Sequence, residues 1–172
     1  MIRDLRSNEI DVRVAMEGDG WISLLLYKNA RVDMDILDET FGPMNWQRHH
    51  SRDNANCIVS IWDKDKGQWI DKEDTGTESN TEKEKGLASD SFKRACVNIG
   101  IGRELYTSPT IFIKQKDSKG EINYEIQEKN GKTRCKTRFN VYAIEIKNKV
   151  ITGLVIVNDK GKKVFVYKKE EK

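Results

Sequence analysis

The sequence lacks a long apolar run, a recognisable signal segment and any paired-cysteine motif. Its longest apolar run, residues 22–27, is interrupted by Ser23, whereas a membrane helix needs about 20 apolar residues. The first six residues lack the apolar centre of a secretory signal. The cysteines are far apart, and Cys57 and Cys96 lie in apolar patterns, which favours buried free thiols. These absences predict a cytosolic protein.

A large excess of charge of one sign is also missing. Lys and Arg number 31 and Asp and Glu number 28, so the net charge is only +3. A chain of 172 residues is long enough for one domain with a real core. Any site for a polyanion must therefore be a local patch of cations rather than the whole surface.

Residue sets that carry catalysis are scarce. No Gly-x-x-x-x-Gly-Lys-Ser/Thr loop is present, which argues against ATP-driven chemistry. The two histidines, His49 and His50, are adjacent, and neighbouring side chains of a strand point to opposite faces, so no metal site is predicted. An alternative is a magnesium nuclease that uses four carboxylates in acidic turns, namely Asp63, Asp65, Glu73 and Asp74. Solvated turn residues are the favoured interpretation, and we predict no catalytic residue and no cofactor.

The apolar pattern of the first hundred residues predicts a hairpin and two main helices. Residues 12–16 and 21–27 read as the two strands of a hairpin around an Asp19-Gly20 turn. A helix is predicted over residues 31–41, and a longer helix ends near Ile99. A further short helix is predicted within residues 2–10.

Other segments read as strands and polar loops. Residues 71–85 are predicted to be a loop with a helix cap at Asn80 or Thr81. Cations alternate through Lys132, Arg134, Lys136 and Arg138, so a strand there would be either a second basic surface or an edge protected from aggregation. Strands are predicted over residues 46–52, 56–62, 68–71 and 110–113, and a C-terminal β-meander over 139–146, 150–157 and 163–167.

The longer helix is predicted to have one apolar face and two adjacent cations opposite it. Lys93 and Arg94 point away from the apolar face, and Gly100 and Gly102 end the helix. Two neighbouring cations on a rigid helix can hold a polyanion, since each neutralised phosphate releases condensed counterions. The apolar face collects Ala88, Phe92, Ala95, Cys96 and Ile99.

Four ordered segments between Arg31 and Gly102 resemble the single-strand annealing proteins of the Rad fifty-two/twenty-two superfamily, including its bacteriophage members. The shared pattern of the first two segments reads Arg31-Val32, Leu37, Glu39, Phe41-Gly42 and then Trp46. Glu73-Asp74-Thr75-Gly76 resembles the acidic turn after the third strand of the family. The DNA-binding helix of the family is matched by Asp90, Phe92-Lys93-Arg94-Ala95 and Gly100.

The resemblance implies an α+β fold with a β-β-β-α core in residues 1–113 and a basic linker with the β-meander in 114–172. It implies ATP-independent binding of single-stranded DNA and annealing of complementary strands during phage or bacterial homologous recombination and DNA repair. The expected assembly is a ring or helical homo-oligomer in the bacterial cytoplasm, with a single-strand-binding protein as a further partner. Lys93, Arg94 and Arg31 are the DNA-binding residues that the family pattern implies.

Three further cations rank lower because no motif matches them: Arg48 and Arg52 on the strand pair after Trp46, and Arg103 just past the longer helix. The chain also departs from the family at two positions. Val97 stands where the family carries a third cation, and Pro43 stands where it often has an aromatic residue. Trp46 is predicted to be a core residue rather than a base-stacking surface.

Three other functions compete with annealing. A plain single-strand-binding or replication accessory protein would coat DNA without promoting pairing, and the magnesium nuclease would cleave it. A protein-interaction module of a replisome would use the β-meander as its docking surface.

Overall fold

The computed structural model describes residues 1–77 and 83–170, with the backbone alone for residues 83–85. The chain forms two compact units, and neither is continuous in sequence. The helical unit contains Met1–Asp4 and Lys28–Arg103, and the sheet unit contains Leu5–Tyr27 and Glu104–Lys172. The sequence instead predicts a core in residues 1–113 and an appendage in residues 114–172 that belong to one compact unit, because local patterns do not reveal that the N-terminal hairpin pairs with C-terminal strands.

Strands dominate the structure. The α-helices are α1 (Ala30–Phe41) and α2 (Lys83–Ile99), and short 3-10 helices cover Ser7–Glu9 and Arg103–Thr107. The strands are β1 (Asp11–Gly18), β2 (Trp21–Tyr27), β3 (Trp46–Ser51), β4 (Asn56–Asp63), β5 (Gln68–Thr75), β6 (Ile111–Lys114), β7 (Ile126–Lys129), β8 (Lys132–Cys135), β9 (Phe139–Lys147), β10 (Val150–Asn158) and β11 (Lys163–Lys168).

The helical unit is an antiparallel sheet in the order β3-β4-β5 with both α-helices packed on it. Asn29 caps α1, because its side chain accepts hydrogen bonds from the N–H groups of Arg31 and Val32, and Gly42 at φ 86° ends that helix. The core lies where α2 meets β4. Its fully buried members are Ile36, Leu37, Cys57, Val59, Phe92, Ala95, Cys96 and Ile101.

The sheet unit is a six-stranded antiparallel sheet in the order β11-β10-β9-β1-β2-β6. The sheet nearly closes on itself, since its edge strands β6 and β11 approach each other. The predicted hairpin of β1 and β2 is confirmed, with Val14 opposite Leu24 and Gly18 opposite Trp21. The inward side chains of these strands form a second apolar core, which includes Ile22, Leu24, Ile111, Ile113, Ile151, Leu154 and Ile156.

The predicted α+β class with a β-β-β-α core is wrong, because the protein is mostly β, with 46% strand and 21% helix. Part of the added β-structure is polar on both faces. In β7 every residue is exposed, so its strand conformation rests on backbone pairing with β8 rather than on an apolar face. Hydrophobic alternation does not reveal such strands.

Three local predictions also need correction. Residues 71–75 belong to β5 rather than to a loop, and the proposed caps Asn80 and Thr81 lie outside the described residues. In place of a helix within residues 2–10 there is only the 3-10 helix Ser7–Glu9. The alternating cations are not one strand, because β8 ends at Cys135 and β9 begins at Phe139. In the part of the chain that the structure describes, no helix has both the length and the apolar character needed to span a membrane.

Candidate nucleic-acid interface

Three polar side chains of α2, spaced four residues apart, contact strand β5 or the segment that follows it. Asp90 accepts a hydrogen bond from the N–H of Thr77 at 2.9 Å, and Asn98 donates from Nδ2 to the backbone oxygen of Glu73 at 3.0 Å. Arg94, halfway between them, reaches the strand between those two contacts. Because residues four apart lie on one helix face, this spacing holds α2 along the strand at several points.

The contact of Arg94 is an ion pair with Asp74. Arg94 Nε donates to Asp74 Oδ1 at 3.4 Å, and Asp74 Oδ2 accepts from Asn98 Nδ2 at 3.2 Å. The Arg94 side chain remains 45% exposed, and its two Nη groups donate to no other described residue. Asp74 therefore orients Arg94 and also lowers the net positive charge beside it.

The backbone of α2 also lies very close to the backbone of the segment that follows β5. Gly76 follows β5 and donates its N–H to the oxygen of Ala55 at 2.7 Å. A Cβ at position 76 would lie 2.5 Å from the backbone nitrogen of Ser91 in α2. A residue with a side chain cannot occupy this position unless the helix moves away. The predicted acidic turn 73–76 is thus the end of a strand, and its glycine allows α2 to pack closely.

Lys93 lies in α2 and Arg31 in α1, and neither side chain takes part in the contact with β5. Lys93 is half-buried and close enough to α1 for its charge to lower the pKa of Asp33. Arg31 is exposed in the first turn of α1, where the helix dipole disfavours a cation. Neither side chain forms an ion pair with a described carboxylate. Among the side chains of α1 and α2 that the structure describes, the cations are Arg31, Lys93 and Arg94, and the last of these is shared with Asp74.

The lower-ranked cations have other roles in the structure. The guanidinium carbon of Arg48 lies 4.9 Å from the ring centroid of Phe92, as a cation–π contact on the helix-facing side of β3. Arg103 donates from Nε to the oxygen of Val97 at 2.8 Å and from Nη2 to that of Asn98 at 3.0 Å. It therefore satisfies carbonyls at the C-terminal end of α2. Arg52 is exposed in the β3–β4 turn at φ 50°.

The two positions at which the chain differs from the family pattern, Val97 and Pro43, lie in different elements. Val97 is half-buried on α2, so no third cation joins Lys93 and Arg94 there. Pro43 is exposed in the turn after α1. Trp46 stacks on Phe92, with ring centroids 6.2 Å apart, and its Nε1 donates to Asp38 Oδ1 at 2.6 Å. The indole is thus committed to the packing of the helical unit, but it is half-buried rather than part of the core that the sequence predicts for it.

A buried charge pair lies beneath the helix surface. Lys28 Nζ bonds Asp33 Oδ1, and both side chains are almost fully buried. Burial raises the pKa of Asp33 to about 6, against the opposing effects of Lys28, Lys93 and Cys96. The alkyl chain of Lys28 packs so close to Gly102 that a Cβ there would clash with it. The pair thereby ties the start of α1 to the segment after α2.

The two units differ in charge. The helical unit contains 13 Lys and Arg against 15 Asp and Glu, a net charge of −2, whereas the sheet unit contains 18 against 13, a net charge of +5. Part of the basic character of the sheet unit is neutralised locally. Arg134 of the predicted cation row donates to Glu17 at 2.7 Å and lowers the pKa of that carboxyl.

The carboxylates and histidines that were considered for nuclease or metal chemistry do not come together in one catalytic or metal-binding site. Asp63 accepts from the N–H groups of Asp65 and Lys66 at 3.1 Å, so its carboxylate shapes the β4–β5 turn. Within residues 1–77 and 83–170, no three His, Cys, Asp or Glu side chains group as a metal site would. Cys57 and Cys96 are buried free thiols, as predicted, and burial raises the pKa of both.

Sequence reasoning missed the roles of Asp74 and Asn98 as partners of the helix. The signal was present in the spacing of Asp90, Arg94 and Asn98, which marks a polar helix face that needs partners.

Comparisons of the chain with protein-family models, curated proteins and solved structures gave no significant match.

Proposed function

We propose that this protein binds single-stranded DNA and anneals complementary strands without nucleotide hydrolysis, in recombination in the bacterial cytoplasm. The observation that supports the proposal most directly is the fixed position of α2, which carries the neighbouring cations Lys93 and Arg94 and is held along β5 by polar contacts. Cations fixed before binding lose less conformational entropy when they contact phosphates. Arg94 suits a bidentate phosphate contact and Lys93 a point contact.

Annealing follows from a grip on phosphates alone. Phosphate contacts carry no sequence information, so pairing between the two strands supplies the specificity. Bases that face away from the cations remain free to test a second strand. A homo-oligomeric ring or filament would repeat Lys93 and Arg94 along the bound strand, which compensates for the absence of a cation at Val97.

The test is the salt dependence of binding to a labelled single-stranded oligonucleotide, measured by fluorescence anisotropy. The variant is Lys93→Gln with Arg94→Gln, and the matched control is Lys64→Gln with Lys66→Gln in the exposed β4–β5 turn of the same unit. Circular dichroism establishes that both variants are folded.

We expect affinity to fall steeply with salt for the natural chain and the control. For the Lys93 and Arg94 variant the log–log slope should be shallower by about 1.4, since each phosphate contact on a single strand contributes about 0.7. Equal losses in both double variants would point to general charge attraction instead. Absence of binding by the natural chain at low salt would refute the proposal.

A further inference from the structure

The outward side of the β1-β2-β6 part of the sheet unit is apolar and aromatic. Strand register pairs Ser23 with Met16 on one side and with Phe112 on the other, so these three side chains share one face. Ile22 and Leu24, which alternate with Ser23, point into the core and are buried. We name this surface the outer aromatic face, and it consists of Met16, Trp21, Ser23, Leu25, Tyr27 and Phe112.

A stacked ring pair occupies one end of the outer aromatic face. Trp21 and Phe112 lie with ring centroids 5.1 Å apart and an interplanar angle of 27°. Phe112 is 46% exposed even though it stacks on the indole. Trp21 takes the space that a side chain at position 18 would need, so Gly18 permits this ring position. The pair therefore presents aromatic surface to solvent from a fixed strand position.

A buried hydroxyl without a partner lies at the centre of the same face. Ser23 is 9% exposed, and its Oγ has no hydrogen-bond partner among the residues that the structure describes. An unsatisfied buried hydroxyl costs about 1–3 kcal/mol. A ligand with polar atoms at the edge of a flat ring would satisfy it if the exposed, flexible Met16 side chain moved aside.

Cations flank the outer aromatic face. Arg13 lies opposite Leu25, and Lys114 lies opposite Trp21, and both side chains are exposed. Neither cation forms an ion pair with a carboxylate in the described part of the chain. Asp11, an acid beside the face, lies opposite Tyr27. The surrounding unit has a net charge of +5. Charge complementarity thus favours an anionic ligand.

We propose that the outer aromatic face is a stacking surface for the unpaired bases of a nucleic acid. A base would stack on Phe112, present polar edge atoms to Ser23, and leave its phosphates beside Arg13 and Lys114. Bases in a duplex are stacked on each other and cannot reach such a surface, so the face would select single strands. This inference rests on the proposed function and adds to it the part of the DNA that the sheet unit recognises.

The test compares two strands that differ only in their bases. Affinities are measured for a short oligothymidylate and for an abasic tract of the same length, with the same backbone charge. The variants are Phe112→Ala and Phe112→Leu, of which the second keeps apolar area but removes the aromatic ring. Tyr106→Ala is the matched control, because Tyr106 is an exposed aromatic residue of the same unit on the 3-10 helix Arg103–Thr107.

We expect the natural chain to bind oligothymidylate at least about fivefold more tightly than the abasic tract, as one stacked base requires. Both Phe112 variants should lose this preference and keep their affinity for the abasic tract, whereas Tyr106→Ala should retain it. Equal affinity of the natural chain for the two tracts would overturn the stacking surface. In that case, a loss of affinity for both tracts in the Lys93 and Arg94 variant would still support phosphate binding by Lys93 and Arg94. A sedimentation change in Phe112→Ala without loss of base preference would instead assign the face to self-association and overturn the inference.

Discussion

Arg94 of α2 donates from Nε to Asp74 of β5 at 3.4 Å, so the cation proposed to hold phosphate already has a carboxylate partner. The ion pair is partly exposed, with 45% of the Arg94 side chain accessible. Exposed pairs contribute little stability and are readily exchanged for another anion. Asp74 therefore acts as an internal competitor that DNA phosphates must displace.

Removal of this competitor should strengthen binding. We expect Asp74→Asn to tighten single-stranded DNA binding by up to about fivefold, the equivalent of an exposed ion pair. The control is Asp71→Asn, which changes the charge equally on the same strand but on its other face. Anisotropy titrations measure both variants, and equal effects of the two substitutions would contradict a specific role for the pair.

Arg48 should contribute to stability rather than to DNA binding. Its guanidinium covers Phe92, so Arg48→Met should lower the free energy of unfolding by about 0.5–1 kcal/mol, the usual size of an exposed cation–π contact. Urea denaturation measures this change. Arg52→Met, in the neighbouring turn, should leave stability unaltered. A loss of DNA affinity in Arg48→Met without a loss of stability would show that Arg48 belongs to the DNA-binding site and contradict its structural role.

Asp33 should make stability depend on pH. Its pKa is raised from 3.8 to about 6 by burial, so the folded state binds the proton more tightly than the unfolded state. This contribution is fully present below about pH 4 and is lost as pH rises through 6, by about 2–3 kcal/mol. Urea unfolding of the natural chain and of Asp33→Asn at several pH values isolates it from carboxyls whose pKa is lowered, such as Glu17. Parallel stability curves for the two proteins would be the contrary result.

Glu104 should be essential for the stability of the sheet unit. Its side chain is fully buried, Oε1 accepts the N–H of Leu5 at 2.7 Å, and Oε2 lies 3.8 Å from Nζ of Lys149. Glu104→Ala should cost about 2–4 kcal/mol, because it leaves a buried donor unpaired and opens a cavity. Glu104→Gln, which keeps an acceptor, should cost less. Equal unfolding midpoints for the two variants would show that the acceptor is unimportant.

Local sequence patterns identified some elements correctly and the fold class wrongly. The alternation around Asp19-Gly20 predicted the hairpin of β1 and β2, because side chains that alternate between core and solvent leave a direct mark on the sequence. The pairing of β1 with β9 joins Asp11 to Asn140, and no local pattern records a contact so distant in sequence. The polar end of β5, residues 71–75, and the whole of β7 were missed for the complementary reason, since they have no apolar face.

The candidate site was predicted only in part. The sequence indicated which cations lie outside the apolar face of α2, but not what each of them contacts. Arg94, Arg48 and Arg103 all form intramolecular contacts that depend on the packing of α2. The outer aromatic face was not predicted, because Trp21 and Phe112 are brought together only by the pairing of β2 with β6.

The most direct test of the account is the initial rate at which two labelled complementary oligonucleotides pair in the absence of nucleotide. We expect the natural chain to raise this rate above that of DNA alone, with the Lys64 and Lys66 control unchanged and the Lys93 and Arg94 variant close to the protein-free rate. A natural chain that binds the strands but slows or does not alter their pairing would contradict annealing and leave a single-strand-coating protein in its place.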